Sequence, residues 1–80
     1  MKQIFVCECH LIENARMVSA YMVLAQNRRE ARLMMRDGDH IVDAVRLYGD
    51  YVLECGWTTL TPEKEEEFLK SGVHCIFAGT

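Results

Sequence analysis

The side chains best suited to chemistry in this chain are the run Cys7-Glu8-Cys9-His10, the distant pair His74-Cys75, and Cys55. Together they offer the thiolates and imidazoles from which tetrahedral zinc sites are built. On an extended strand, residues two apart share a face. Cys7 and Cys9 would therefore point with Phe5 and Leu11, while His10 and His74 point the other way. That spacing favours cysteine as a small core side chain, so no metal and no cofactor is expected; a metal or thiol protein using Cys7, Cys9 and Cys75 is the lesser alternative. A reactive thiol needs a helix N-terminus or a C-x-x-C motif, and the chain has neither: Cys55 falls at the C-terminal end of an expected helix, where the dipole disfavours a thiolate. No local signature gathers Cys, His and Asp for nucleophilic catalysis. The expectation is a protein that is not an enzyme and has no catalytic residues.

Charge offers more. The first 36 residues hold six basic and three acidic groups, whereas residues 37–80 hold three basic and nine acidic ones. Two candidate surfaces follow. Arg29, Arg32 and Arg36, with Arg28 beside them, form a stripe at helical spacing whose guanidinium groups match phosphate oxygens. Asp39, Asp43, Asp50 and Glu54, with Glu63 and Glu66 further along, form an acidic surface suited to a basic protein partner. Each has a plain alternative, the solvated face of an amphipathic helix. An isoelectric point near 5.5 argues against a dedicated nucleic-acid binder, so the acidic surface is favoured. Trp57, near Tyr48 and Tyr51, reads either as a core plug or as an interface anchor.

These residues need elements to hold them. Residues 3–11 alternate as a half-buried strand. Asn14 marks a turn, and a second strand over residues 17–25 puts Val18, Ala20, Met22 and Leu24 on one side, Ser19 and Tyr21 on the other. Asn27 with Glu30 reads as the N-cap and capping-box partner of a helix of about ten residues ending at Asp37-Gly38, with Ala31, Met34 and Met35 on one face. Residues 40–55 fit a helical wheel: Ile41, Ala44, Val45, Tyr48, Tyr51, Val52 and Cys55 group on one side, with Asp39, Asp43, Asp50 and Glu54 on the other. Asp39 is then the N-cap, Gly56 the stop and Gly49 an interior weak point. The alternative is a pair of strands broken at Gly49. Thr61-Pro62-Glu63 opens a last helix that runs to about Lys70 and stops at Ser71-Gly72. Val73, Cys75 and Phe77 form one face of a final strand.

The plan is α+β: a small antiparallel sheet of about three strands with two or three helices packed on one face, in the order β-β-α-α-α-β. Eighty residues, half of them apolar, make a single domain spanning residues 1–80. Its stability should be modest, so the chain is expected as a monomer or homodimer. The N-terminal apolar run is interrupted at Glu8, too short for a signal peptide or a membrane span. A cytoplasmic chain with reduced cysteines and no membrane partner is expected.

In size, acidity and small α+β plan the chain resembles phage-encoded anti-CRISPR proteins. The resemblance implies a small cytoplasmic inhibitor in the host cell that works by protein–protein interaction. An acidic surface, here Asp39, Asp43, Asp50 and Glu54, would occupy the basic nucleic-acid channel of a CRISPR effector. The alternative is a small nucleic-acid-binding or regulatory protein using the arginine stripe.

Overall fold

The computed structural model of the chain describes residues 1–36, 39–55 and 61–79, the side chains of Val52, Glu54 and Cys55 excepted. Its elements are β1 (Gln3–Leu11), β2 (Val18–Ala25), α1 (Arg28–Met35), β3 (His40–Leu47), α2 (Tyr48–Cys55), α3 (Pro62–Ser71) and β4 (Val73–Gly79). The α+β class holds. The four strands form one antiparallel sheet in the order β3-β1-β2-β4.

β1 and β2 join as the alternation predicts. The connection is an Asn14 turn: the Asn14 side-chain oxygen accepts from the Arg16 backbone N–H at 3.0 Å, and the Leu11 N–H donates to the Met17 carbonyl at 3.1 Å. Asn27 caps α1 by accepting the Glu30 N–H at 2.8 Å, the expected arrangement at a helix N-terminus. Ala31 and Met35 are buried beneath α1, but Met34 is 42% exposed and stands off the expected face. The expected stop at Asp37-Gly38 lies outside the described residues. Thr61 caps α3 through Lys64 N–H, Pro62 takes the first turn, and Gly72 closes it at φ 78°, a left-handed conformation that a glycine adopts without penalty.

Residues 40–55 correct the expected helix. His40–Leu47 is a strand at the edge of the sheet, and only Tyr48–Cys55 is helical, so the order is β-β-α-β-α-α-β. Asp39 precedes a strand and caps no helix; Gly49 lies in the first turn of α2 and not at its middle. The cause of the misreading is visible in the pairing. Cys9 pairs with Val42 and Glu8 with Ala44, leaving Asp43 as an extra residue, a β-bulge. The three β3 residues that pack beside α1 are Val42, Val45 and Leu47. The bulge sets the first two three positions apart, which copies helical spacing.

The helices also divide between both faces of the sheet. Phe5, Cys7, Cys9, Val23 and Ala25 pack with Ala31 and Met35 of α1. On the other face Val6, Ala20 and Met22 pack with Tyr51 of α2 and Phe68 of α3, joined by Ile4, Leu24, Tyr48 and Ile76. The expectation of helices on one face therefore holds for α2 and α3 alone. A second register shift, between Ala20 and Tyr21, interrupts β4. It breaks the expected Val73/Cys75/Phe77 face, because Val73 packs beside the α1 layer while Phe77 pairs with Ala20, whose side chain belongs to the opposite one.

Candidate interaction surface

Two of the four cysteines, Cys7 and Cys9, are core. Cys7 and Cys9 are 0% and 1% exposed, and the Cys7 thiol lies 3.8 Å from the Ala31 carbonyl of α1. Burial, then the neighbouring Cys9, pushes the Cys7 thiol up to about 11, with Arg32 pulling the other way. A thiol so protonated is a poor nucleophile and a poor metal ligand. His10 is on the opposite face of β1. Cys75 is exposed on β4. Among the described residues no group of three or more His, Cys, Asp or Glu is placed to hold a metal ion.

The proposed acidic residues are dispersed by the strand at 40–47. Asp39 is exposed before β3, and its backbone carbonyl accepts from Ile12 N–H at 2.9 Å. Asp43 sits at the bulge, where its carboxylate meets His10 Nδ1 at 2.7 Å. Beside it Arg46 reaches Glu8 at 3.2 Å. Both are cross-strand pairs at a partly exposed surface, where such contacts contribute little to stability. Asp50 is exposed on α2, and Glu63 and Glu66 are exposed on α3, with Glu66 3.9 Å from Lys70. Glu54 belongs to α2, and its side chain lies outside the described residues, as does Trp57.

The arginine stripe is also altered. Arg29 and Arg36 are exposed, but Arg32 folds against the sheet and donates to the Val42 carbonyl at 2.8 Å. It ties α1 to β3. Arg28 lies over the Phe5 ring, 6.0 Å from its centroid, within cation–π range.

What the sheet does separate is an excess of charge of one sign in each helical layer. α1 and its C-cap carry Arg28, Arg29, Arg32 and Arg36 against Glu30. Across the sheet, α2 and α3 carry exposed Asp50, Glu63, Glu65, Glu66 and Glu67 against Lys64 and Lys70. The imbalance between the two halves of the sequence becomes an imbalance between the two faces of the molecule. Sequence reasoning missed this because it placed all the helices on one face.

A shallow groove of about 440 Å³ runs along the β3 edge, lined by Arg28, Val45, Arg46, Leu47, Asp50 and Leu53. Its lining takes residues from both helical layers, so it is of mixed charge. At the other end of the sheet a cavity of about 300 Å³ is lined by Leu11, Ile12, Glu13, Asp39 and His40. Beside it Tyr21 meets His40 edge to face at 6.0 Å; burial, and then Cys75, raises the Tyr21 hydroxyl above its ordinary value.

Among the described residues no helix is long and apolar enough to cross a membrane. Comparison of the chain with known protein families, characterised proteins and solved structures finds no match.

Proposed function

We propose that this chain is a non-enzymatic binding protein that presents its α2/α3 layer to a basic surface on a protein partner and inhibits that partner by occupying it. The supporting observation is the segregation of helix charge: five exposed carboxylates on that layer against two lysines, with the α1 arginines on the far side of the sheet. Such a field steers a basic partner toward one face and orients it on arrival. The anti-CRISPR version of the proposal makes the partner surface the nucleic-acid channel of a CRISPR effector, with DNA excluded by electrostatic competition.

The test is competition on a purified effector–guide complex. The wild-type chain is expected to prevent DNA binding, and the triple variant Asp50→Lys, Glu63→Lys, Glu66→Lys to lose that effect while keeping its circular dichroism spectrum. All three side chains are exposed, so the fold has no need of them. Full inhibition by the triple variant would sink the acidic-layer reading.

The alternative reading is a nucleic-acid-binding protein using α1. The exposure of Arg28, Arg29 and Arg36 on one side of the sheet favours it. With Arg32 engaged by β3, three guanidinium groups remain for phosphates. A gel shift that weakens steeply with salt and vanishes in Arg29→Ala, Arg36→Ala would select this reading over the first.

A further inference from the structure

The two edges of the sheet are built differently. β3 is guarded in three ways. The bulge at Asp43 twists it, Asp43 and Arg46 put charge on it, and Arg32 of α1 takes the Val42 carbonyl. These are devices that keep an edge strand from pairing with another chain. β4 shares the irregularity, its register shifting at Ile76, but it carries no charged side chain. From Ser71 to Thr80 the sequence contains no Asp, Glu, Lys, Arg or Pro. At its start Val73 exchanges hydrogen bonds with the Ser71 hydroxyl at 2.9 and 3.3 Å. Beyond it Cys75, Phe77 and Ala78 are exposed, Phe77 by 43%, and the neighbouring Val18 of β2 is 43% exposed as well. Among the described residues no strand pairs with the outer side of β4.

We propose that β4 pairs antiparallel with β4 of a second copy of this chain, joining two four-stranded sheets into one of eight strands. The occupant follows from the composition of the edge. A neutral strand has no charge with which to select a charged partner, and it can face its own copy about a twofold axis with no like charges opposed. The same operation on β3 would bring the charged side chains of Asp43 and Arg46 into the joint. In the β4 pairing the backbone groups of the two edges satisfy one another, and Phe77 and Val18 of each copy, both half-exposed in one chain, lie close to the joint. A chain of this size buries too little surface to be strongly stable alone, and the pairing adds to what it buries. This inference stands apart from the function proposed above, since the acidic layer and the β4 edge use different residues.

Sedimentation equilibrium tests it. The wild-type chain is expected at the mass of two chains. A twofold axis normal to the sheet places both copies of an edge residue on the same face of the joined sheet. Cys75→Lys and Cys75→Glu, each tested alone, are therefore expected to weaken the dimer by about tenfold or more. An equimolar mixture of the two variants is expected to recover it, which a merely unfolded variant would not do. Ile41→Lys, a charge added to the guarded edge, is expected to leave the dimer intact. A wild-type chain that remains single up to about 1 mM overturns the proposal. So does a dimer indifferent to both charges at Cys75, a mixture that fails to recover, or a dimer abolished by Ile41→Lys.

Discussion

The α1 side of the sheet and the α2/α3 side are held by different kinds of packing. Against α1 half of the buried cluster is small, Cys7, Cys9, Ala25 and Ala31, set among Phe5, Val23, Met35 and Val42. Small side chains let the helix backbone come close to the strands, close enough for the Cys7 thiol to reach the Ala31 carbonyl. Against α2 and α3 the cluster has fewer small residues, Ala20 and Val6, and is dominated by Phe68, Met22 and Tyr51. The α1 face brings helix backbone within reach of a strand thiol, while the other face relies more on large side chains. The lesson is that hydrophobic bulk alone undervalues a layer built from cysteine and alanine.

The comparison breaks most readily at Phe68. It is 1% exposed, and Phe68→Ala is expected to destabilise the fold by about 3–5 kcal/mol in urea denaturation. A loss below about 1 kcal/mol would mean that α3 is not part of a packed core.

The α1 side is expected to declare itself through pH. The native Cys7 thiol is raised from 9.0 to about 11, so between those values the unfolded chain has given up a proton that the folded chain keeps. Its contribution is fully present below pH 9 and is lost as pH rises through about 11, an effect on the order of 2 kcal/mol. Cys7→Ala should flatten that decline and leave the part due to Tyr21, whose hydroxyl is shifted in the same direction. An identical pH profile in the variant would remove Cys7 from the account.

The smallest effect concerns the tie between α1 and β3. Arg32→Ala removes the hydrogen bond to the Val42 carbonyl and is expected to cost about 1 kcal/mol, with faster hydrogen exchange along β3. Unchanged stability and exchange would show α1 held by its apolar face alone.

Much of this was legible in the sequence because local signals agreed with the fold. Asn27, Thr61-Pro62 and Gly72 mark helix ends by chemistry that acts within a few residues, and β1 and β2 alternate cleanly. Residues 40–47 were not legible, since the edge strand carries an extra residue and its core-facing positions then copy the helical period. β-branched Ile41, Val42 and Val45 were the available signal for a strand. The arrangement expected for the acidic residues changes for the same reason. Asp39, Asp43 and Asp50 share a face only on a helix over residues 40–55, the first half of which is a strand, whereas Glu63 and Glu66 lie on the helix expected there. That charge would separate across the sheet depended on which face each helix covers, a tertiary matter that no local pattern encodes.

The bulge in β3 has one more consequence. Cys9 and Glu8 are adjacent, as are their partners Val42 and Ala44 once Asp43 is set aside. Asp43 is in effect a one-residue insertion. A chain lacking it would keep every pair of the β1–β3 ladder and every side chain on its present face, losing only the contact with His10 and the local twist. Length variation in relatives of this chain should therefore be tolerated here, in the middle of a strand, where single-residue insertions and deletions are ordinarily least tolerated.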